Sequence, residues 1–346
     1  EEGFVPVGGL TKGRGHVEIN ISGGTIGIDS IHVSPTDSIY FGGATMGNVY
    51  GGGNGYINTV RSGQIYGSTN VTISQAEGKT TQIYHNVYGG GAYGTVGDFI
   101  YTMTDDEGTG TKKVTGIKSL HNERTGTGTA NVTITGGTIG FDGHENGMVF
   151  GSSRGDVDEP GKRPDFLAWV NNANVTIGDA KDGTNASGNG KNLTSQLIKG
   201  SVYGSGENGH TFHNTQLNIH AGTIGNSDEY YAYRGNVYGG GCGTDTYTVT
   251  VNKGEANEYS YEAYNKWAGI VRGNTEVNID GGLITGCIYG AGAMASVGTI
   301  TNAADTANVN KAKHYDITNP GTDSEVIHGF ALSWPYKVEF KSGTGK

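Results

Sequence analysis

The stretch Gly47-Asn48-Val49-Tyr50-Gly51-Gly52-Gly53 decides the fold of this chain, because the sequence repeats it. It returns almost unchanged at residues 86–91 and 235–241. Looser copies are Val149-Phe150-Gly151, Val202-Tyr203-Gly204 and Ile288-Tyr289-Gly290. A short apolar-aromatic motif that recurs in this way indicates a repeat architecture built from many short strands.

A second motif precedes each copy of the first. It reads polar, apolar, Thr or Asn, Ile, and four of its six copies run on into a glycine step such as Gly23-Gly24-Thr25-Ile26-Gly27. The copies start at Glu18, Asn70, Asn131, Asn174, Gln216 and Glu276. Their starts are 52, 61, 43, 42 and 60 residues apart, which indicates a fixed unit with insertions of variable length. The long insertions are predicted at 95–129, 156–172 and 244–272.

Strand periodicity assigns the two faces of the repeat. Val71 and Ile73 share one face, whereas Asn70 and Thr72 share the other, so the apolar pair is expected inside. One such unit has too little apolar surface to fold alone, and stacking buries a continuous core. The sequence therefore predicts an all-β fold, a parallel β-helix (solenoid) of about six irregular coils with long loop insertions. Equivalent asparagines, Asn70, Asn131 and Asn174, would then stack as a ladder.

The alternative fold is a β-propeller, because six units averaging a little over 50 residues fit the length of a kelch-type blade. The three tryptophans, at 169, 267 and 334, show no repeat register, which counts against blades. We expect an N-terminal extension over 1–16, the solenoid over 17–298, and a C-terminal cap or contact segment over 299–346. Apolar and aromatic residues of this last segment, Phe330, Trp334 and Tyr336 among them, are candidates for end contacts.

Composition excludes several classes of function. Glycine accounts for 64 of 346 residues, charged residues for 16%, and the net charge is −10. Without a cluster of Lys and Arg the chain is not expected to bind nucleic acid, and no apolar run approaches the ~20 residues of a membrane span. Low charge with abundant Gly, Thr, Asn and Tyr favours a secreted surface protein. Cys242 and Cys287 fall at different positions of the repeat and are expected to be free thiols.

Candidate catalytic and metal sites are weak. The carboxylate groups Asp105/Asp106, Asp156/Asp158/Glu159 and Asp179/Asp182 lie in insertions or turns, where solvated charges are the better interpretation. Near Asp245 a calcium-type glycine motif is one residue out of register, and His210 and His213 lack a ligand partner. Arg154-Gly155-Asp156 is easily produced by chance in a glycine-rich chain. We therefore expect no catalytic residue, no metal and no cofactor.

The repeated aromatic position is the main candidate for a contact. Its members are Tyr50, Tyr88, Phe150, Tyr203, Tyr238 and Tyr289. Stacked and exposed, they would form a ladder able to hold sugar rings or a neighbouring molecule. The alternative, which we favour, is that the row packs beneath an insertion or along a coil edge.

The paired motifs, Gly-Gly-Thr-Ile-Gly and Val-Tyr-Gly-Gly-Gly, resemble the glycine-rich repeats of adhesin-like surface proteins of gut bacteria. The resemblance covers residues 17 to about 298 and implies a secreted β-solenoid without catalytic residues. The expected function is a non-catalytic structural or adhesive module at the cell surface. Its partners would be other copies of itself, joined end to end or laterally, or a surface glycan or protein. The alternative is a carbohydrate-binding or polysaccharide-degrading β-helix, for which fold analogy is a weak warrant.

Overall fold

The protein is a parallel β-helix, as the repeated motifs predict. The structure, a computed structural model, describes residues 15–28, 31–34, 37–39, 47–105, 112–120, 128–141, 146–158, 163–179, 196–225, 234–243, 246–265, 267–298, 314–315 and 323–324. Three six-stranded sheets run along the solenoid, and each of six coils gives one strand to each sheet. All neighbours within these sheets are parallel, whereas a propeller blade is antiparallel, so the β-propeller alternative is wrong.

Sheet A consists of the second sequence motif. Its strands, in spatial order, are β1 (Val17–Ile21), β6 (Thr69–Ile73), β11 (Thr129–Ile134), β15 (Asn172–Ile177), β19 (Thr215–Ile219) and β24 (Thr275–Ile279). Spatial order equals chain order, so each coil lies on the one before it. The register is also constant, with Val71 opposite Val132 and Ile73 opposite Ile134. In the middle coils both inward positions are fully buried.

Sheet B contains the glycine step. Its strands are β2 (Gly24–Ile26), β7 (Thr81–Ile83), β12 (Gly137–Ile139), β16 (Gln196–Ile198), β20 (Thr223–Ile224) and β25 (Leu283–Ile284). Coils 2 and 4 lack the Gly-Gly-Thr-Ile-Gly motif, yet Ile83 and Ile198 occupy its isoleucine position in register with Ile139. One inward isoleucine therefore defines this strand, and coils 2 and 4 form it without the Gly-Gly-Thr-Ile-Gly motif.

Sheet C consists of the first motif. Its strands are β5 (Val49–Tyr50), β8 (Val87–Tyr88), β13 (Val149–Phe150), β17 (Val202–Tyr203), β21 (Val237–Tyr238) and β26 (Ile288–Tyr289). The valines turn inward and join the isoleucines of sheets A and B in one core that extends through all six coils. Each buried Val or Ile contributes about 1.5–3 kcal/mol to this core.

A fourth side closes each coil, and the sequence motifs do not show it. Successive parallel bridges link one residue per coil in the order Ile65, Val96, Val170, Thr211, Val271 and Val297. Val96 and Val170 pack with Ala130 and Ala173 in a second, smaller core. The distance in sequence from the sheet C aromatic to this position varies from 8 to 33 residues, which hides the column from a motif search.

Insertions leave this frame as antiparallel hairpins or short turns. The hairpins pair β3 (Ile31–Ser34) with β4 (Asp37–Ile39), β9 (Phe99–Asp105) with β10 (Lys112–Ser119), β22 (Thr246–Val251) with β23 (Tyr259–Tyr264), and β27 (His314–Tyr315) with β28 (Asp323–Ser324). The insertion of coil 3 holds a 3₁₀ helix, Arg163–Phe166. Two short strands on the fourth side, β14 (Trp169–Val170) and β18 (His210–Thr211), are parallel to each other.

The predicted asparagine ladder lies on the outer face of sheet A. Asn131 donates its Nδ2–H to Oδ1 of Asn70 at 2.9 Å, and Asn174 donates to Oδ1 of Asn131 at 3.0 Å. The prediction is confirmed, and these side chains bond coil to coil outside the apolar core.

Candidate functional site

The repeated aromatic residues form a continuous stack along the solenoid. Five successive ring pairs have centroids 4.7–4.9 Å apart and planes within 4–13° of parallel. The spacing equals the distance between neighbouring strands, so the backbone alone brings the rings into contact. Each stacked pair adds about 0.5–1.5 kcal/mol beyond its buried area.

Most of this aromatic stack is buried, which confirms the packing interpretation. Tyr88, Phe150, Tyr203 and Tyr238 are between 1% and 6% exposed, whereas Tyr289 in the last coil is 46% exposed. The interpretation of the row as an exposed ladder for glycans or a neighbouring molecule is therefore wrong for the four middle rings. Only the rings at the two ends, Tyr50 and Tyr289, offer surface.

The glycine turn explains this burial. After each aromatic residue the chain turns back at the glycines. In each coil, the residue four positions after the aromatic residue belongs to a further column that follows the stack. We call these six residues the turn column: Asn54, Ala92, Arg154, Glu207, Cys242 and Ala293. They are linked mainly by parallel bridges from coil to coil. Cys242 and Ala293 pack against the tyrosines, and Cys242 is only 4% exposed.

Glycine is required at the start of that turn. A Cβ at Gly89 would lie 2.3 Å from the carbonyl oxygen of Gly151 in the next coil, and one at Gly151 would meet Gly204 equally closely. In the last coil a Cβ at Gly290 would meet nothing within 4 Å. The first glycine of the motif therefore permits coil stacking, and its φ angle is not the reason, since none of these three has a positive φ.

The polar members of the turn column form a half-buried cluster. The Tyr88 hydroxyl donates to the Glu207 carboxylate, and Arg154 Nε lies 3.4 Å from the same carboxylate. Arg154 also donates from Nη1 to the Tyr93 hydroxyl at 3.3 Å. Burial, followed by the Glu207 charge, raises the pKa of Tyr88 well above its usual value. For Arg154, burial lowers the pKa, but Glu207 and the tyrosines outweigh it and raise the pKa overall.

The arginine of the Arg154-Gly155-Asp156 tripeptide belongs to this cluster. The Arg154 side chain is 21% exposed and already pairs with Glu207. Asp156 accepts a hydrogen bond from the backbone N–H of Val157. The arginine is therefore part of the coil-to-coil contact, which disfavours an integrin-type role.

An outer aromatic cluster covers the fourth side of the solenoid, and sequence reasoning missed it. It contains Phe99, Tyr101, Trp169 and Ile270, with Phe166, Phe212 and Trp267 packed against them. The guanidinium carbon of Arg272 lies 4.5, 5.0 and 5.1 Å from the ring centroids of Trp169, Trp267 and Phe212, respectively. Burial lowers the pKa of Arg272 to about 10 despite the opposing charge of Asp165.

Hydrogen bonds tie two insertions together at this cluster. Asn265 donates from Nδ2 to Oδ1 of Asp165 and to the backbone oxygen of Asp158, both at 2.7 Å. Trp169 donates from Nε1 to the Asp165 backbone oxygen. The unaligned tryptophans at 169 and 267 were the available signal, because each lies near the end of a predicted insertion.

His210 is a buried member of this region. It is 1% exposed, its ring lies 4.6 Å from that of Trp169 between centroids with the planes tilted by 35°, and its Nε2 lies 3.3 Å from the Pro164 backbone oxygen. Burial lowers its pKa to about 4, and the charge of Arg272 acts in the same direction. Its role in this position is packing with a neutral ring.

The remaining candidates are distributed along the surface or fall outside the described residues. Within the described part of the chain no group of three or more His, Cys, Asp or Glu side chains is placed to hold a metal ion. Cys242 and Cys287 are not joined in a disulfide, as predicted. Phe330, Trp334 and Tyr336, the predicted end contacts, lie outside the described residues, as do the side chains of Asp106 and Asp182.

The end of the solenoid, in contrast, exposes apolar residues. Among the described residues, half of the large hydrophobic side chains that are exposed belong to coil 6 and its turn: Ile279, Leu283, Ile288, Tyr289, Met294 and Val297. No helix among the described residues is long and apolar enough to cross a membrane.

No protein-family model matches the chain, and neither a curated protein nor a solved structure shows significant similarity to it.

Proposed function

We propose that the protein is a non-catalytic, secreted structural or adhesive solenoid of the cell surface. The observation that carries this proposal is the use of the repeated residues. The isoleucines and valines fill the core, the asparagines bond coil to coil, the aromatic rings stack, and the first glycines let the coils approach. Residues that recur in every coil thus build a scaffold, which leaves recognition to the insertions and the ends.

The location and partners follow from composition and resemblance. Low charge, the abundance of glycine and the Gly-Gly-Thr-Ile-Gly and Val-Tyr-Gly-Gly-Gly motifs support a secreted surface protein similar to the adhesin-like proteins of gut bacteria. Hairpins that project from one regular body suit contact with a surface glycan or protein, or lateral contact with further copies.

The test is electron microscopy of the native assembly, combined with cell fractionation. A structural or adhesive role predicts surface-attached protein, filaments or ordered clusters, and retention on the surface that is lost when hairpin β22–β23 is replaced by a short glycine linker. Dispersed monomers that bind no surface at high concentration would contradict the proposal. Turnover of a polysaccharide that one carboxylate substitution abolishes would contradict its non-catalytic part.

A carbohydrate-binding role is the second candidate, and one observation favours it. Tyr259 and Tyr261 on hairpin β22–β23 are partly exposed, and their rings stack at 6.3 Å between centroids. Burial, followed by the neighbouring Tyr247 and Tyr259, raises the pKa of Tyr261 to about 12. Its hydroxyl, like that of an ordinary tyrosine, is a hydrogen-bond donor at neutral pH. Sugar rings pack on such paired aromatic faces.

This second candidate is tested by titrating the protein with soluble polysaccharides. Tyr261→Ala should weaken binding at least about tenfold, whereas Thr250→Ala on the same hairpin should leave it unchanged. Equal affinity of the wild type and both variants would exclude this hairpin as a sugar site.

A further inference from the structure

The C-terminal end of the solenoid is an uncovered cross-section of the core. Ile219 in coil 5 is fully buried, whereas Ile279, one coil later in the same column, is 38% exposed. Val237 is likewise buried and its successor Ile288 is 54% exposed. Among the described residues no further coil covers these side chains, so the end face has the chemistry of an interior.

The backbone at this end is also open. In sheet A every strand except the first and last has a parallel neighbour on both sides, and within the described part of the chain β24 pairs only with β19. A free parallel edge presents a row of unpaired N–H and C=O groups that readily accepts another strand. The end face therefore suits one further strand with alternating apolar and polar residues.

A second copy of the chain fits this edge poorly. Stacked in register, the next copy would place Glu18 directly beside Glu276, since both occupy the first outward position of sheet A. In the coils between, this column is Asn70, Asn131, Asn174 and Gln216, all uncharged. Like charges directly opposite each other destabilise strand pairing.

The chain's own C-terminal segment fits better. Residues 336–340 read Tyr-Lys-Val-Glu-Phe, and β24 reads Thr-Glu-Val-Asn-Ile. In parallel register, Val338 matches Val277 and Phe340 matches Ile279 on the inward face. On the outward face Lys337 then lies beside Glu276, which replaces the repulsion between two glutamates with an opposite-charge pair.

A chain segment of similar length already connects the fourth side of one coil with sheet A of the next. From Val96 on the fourth side to Val132 of sheet A the chain takes 36 residues, and this insertion contains hairpin β9–β10. From Val297 to Val338 it takes 41 residues, and this segment contains hairpin β27–β28. The tail thus has the length and the hairpin of an insertion between two coils.

We propose that residues 336–340 add to β24 as a seventh parallel strand of sheet A and cover the C-terminal end of the solenoid. This interaction leaves the projecting hairpins and the lateral surfaces for the partners of the proposed function. The occupant of the end face is therefore part of the same chain.

Disulfide trapping in the full chain tests the register. In a Cys287→Ser background, Glu276→Cys is combined with Lys337→Cys, because facing residues on parallel strands lie about 4.8 Å apart, within disulfide reach. The control combines Glu276→Cys with Ser333→Cys, on the same strand face but about 13 Å out of register. After mild oxidation, non-reducing electrophoresis and peptide mass spectrometry measure intramolecular cross-links.

We expect the matched pair to cross-link within one chain at least about fivefold faster than the control pair. Covalent dimers from the matched pair would assign the end face to a second copy. Equal rates for both pairs, or no cross-link, would overturn the seventh strand.

A charge exchange gives an independent measurement. Glu276→Lys should lower the melting temperature, and the double variant Glu276→Lys/Lys337→Glu should restore it toward the wild type. Effects that simply add in the double variant would show that the two side chains do not meet. Neither result depends on surface binding, so failure of the adhesive role and failure of the seventh strand are distinguishable.

Discussion

At the scale of single residues, the repeated glycine is the strictest requirement of this fold. Gly51, Gly89, Gly151, Gly204 and Gly239 each lie so close to the next coil that a Cβ would fall 2.2–2.4 Å from a carbonyl oxygen. Contacts of that length are far inside van der Waals separation, so the coils would have to move apart. Moving them apart would also weaken the adjacent aromatic stack, whose rings are only 4.7–4.9 Å apart.

Gly89→Ala should therefore destabilise the protein by about 2–4 kcal/mol, measured by urea denaturation. Gly290→Ala is the matched control at the same motif position, because nothing lies within 4 Å of its Cβ in the last coil. It should stay within about 0.5 kcal/mol of the wild type. Similar losses for both variants would show that the glycine serves its own backbone and not coil stacking.

Buried His210 makes stability depend on pH. Its folded-state pKa of about 4 lies below the ordinary value of 6.5, so only the unfolded chain takes up a proton between these values. Stability should therefore fall as the pH drops from about 6.5 to 4, by about 3 kcal/mol from this group. Above pH 6.5 His210 should have no effect.

The measurement is the free energy of unfolding at pH 7 and pH 4, in the wild type and in His210→Gln. The variant cannot take up the proton, so its loss between the two pH values should be smaller by that amount. Identical pH profiles would mean that the histidine is protonated in the folded protein as well.

At the scale of elements, the inward-facing pattern was predictable and the connections were not. Val71 and Ile73 identified sheet A because a half-buried strand alternates strictly. The strands containing Ile83 and Ile198 were missed since only one inward residue defines each, and a single isoleucine gives no period. The fourth side was missed because it too has one residue per coil, and because the distance in sequence from the sheet C aromatic to that residue varies.

Burial of the tyrosines depended on tertiary structure. The sequence shows that Tyr238 points away from Val237, but it does not show that Cys242 packs against the tyrosine rings after three glycines. The same holds for Trp169, which comes from one insertion and meets Trp267 and Arg272 from another. Contacts set by loop paths carry no local pattern.

The amide ladder is the element whose energetics can be isolated. Asn131 donates to Asn70 and accepts from Asn174. Asn131→Asp keeps the acceptor but replaces the donor with a charged oxygen facing Asn70 Oδ1. We expect a loss of about 1–3 kcal/mol at neutral pH, measured by chemical denaturation.

The control for this variant is Asn257→Asp at the exposed tip of hairpin β22–β23, which makes the same change of charge. It should change stability by less than about 0.5 kcal/mol. Equal effects of the two substitutions would indicate net charge, not the ladder, as the cause.

At the scale of the whole molecule, the solenoid is a one-dimensional stack. Each coil contacts mainly the coils before and after it, and about 24 Å separates the first aromatic ring from the last. In such stacks the terminal coils open most easily, so whatever covers an end controls the stability of the coils beneath it. The two free cysteines are natural probes of this opening, since Cys287 is exposed in coil 6 and Cys242 is buried in coil 5.

In the native protein Cys287 should react with a thiol reagent at once, and Cys242 at least about a thousandfold more slowly, after coils 6 and 5 open. If residues 336–340 cover the C-terminal end, removing 326–346 should speed the reaction of Cys242. The control is Ala92→Cys in a Cys242→Ser background, which places a buried thiol in the turn column one coil from the other end. Its rate should be unaffected by the truncation, because coils 3 to 6 separate it from the C-terminal end. Equal acceleration at both positions would mean that the solenoid opens as one cooperative unit, with no local protection of the end by the tail.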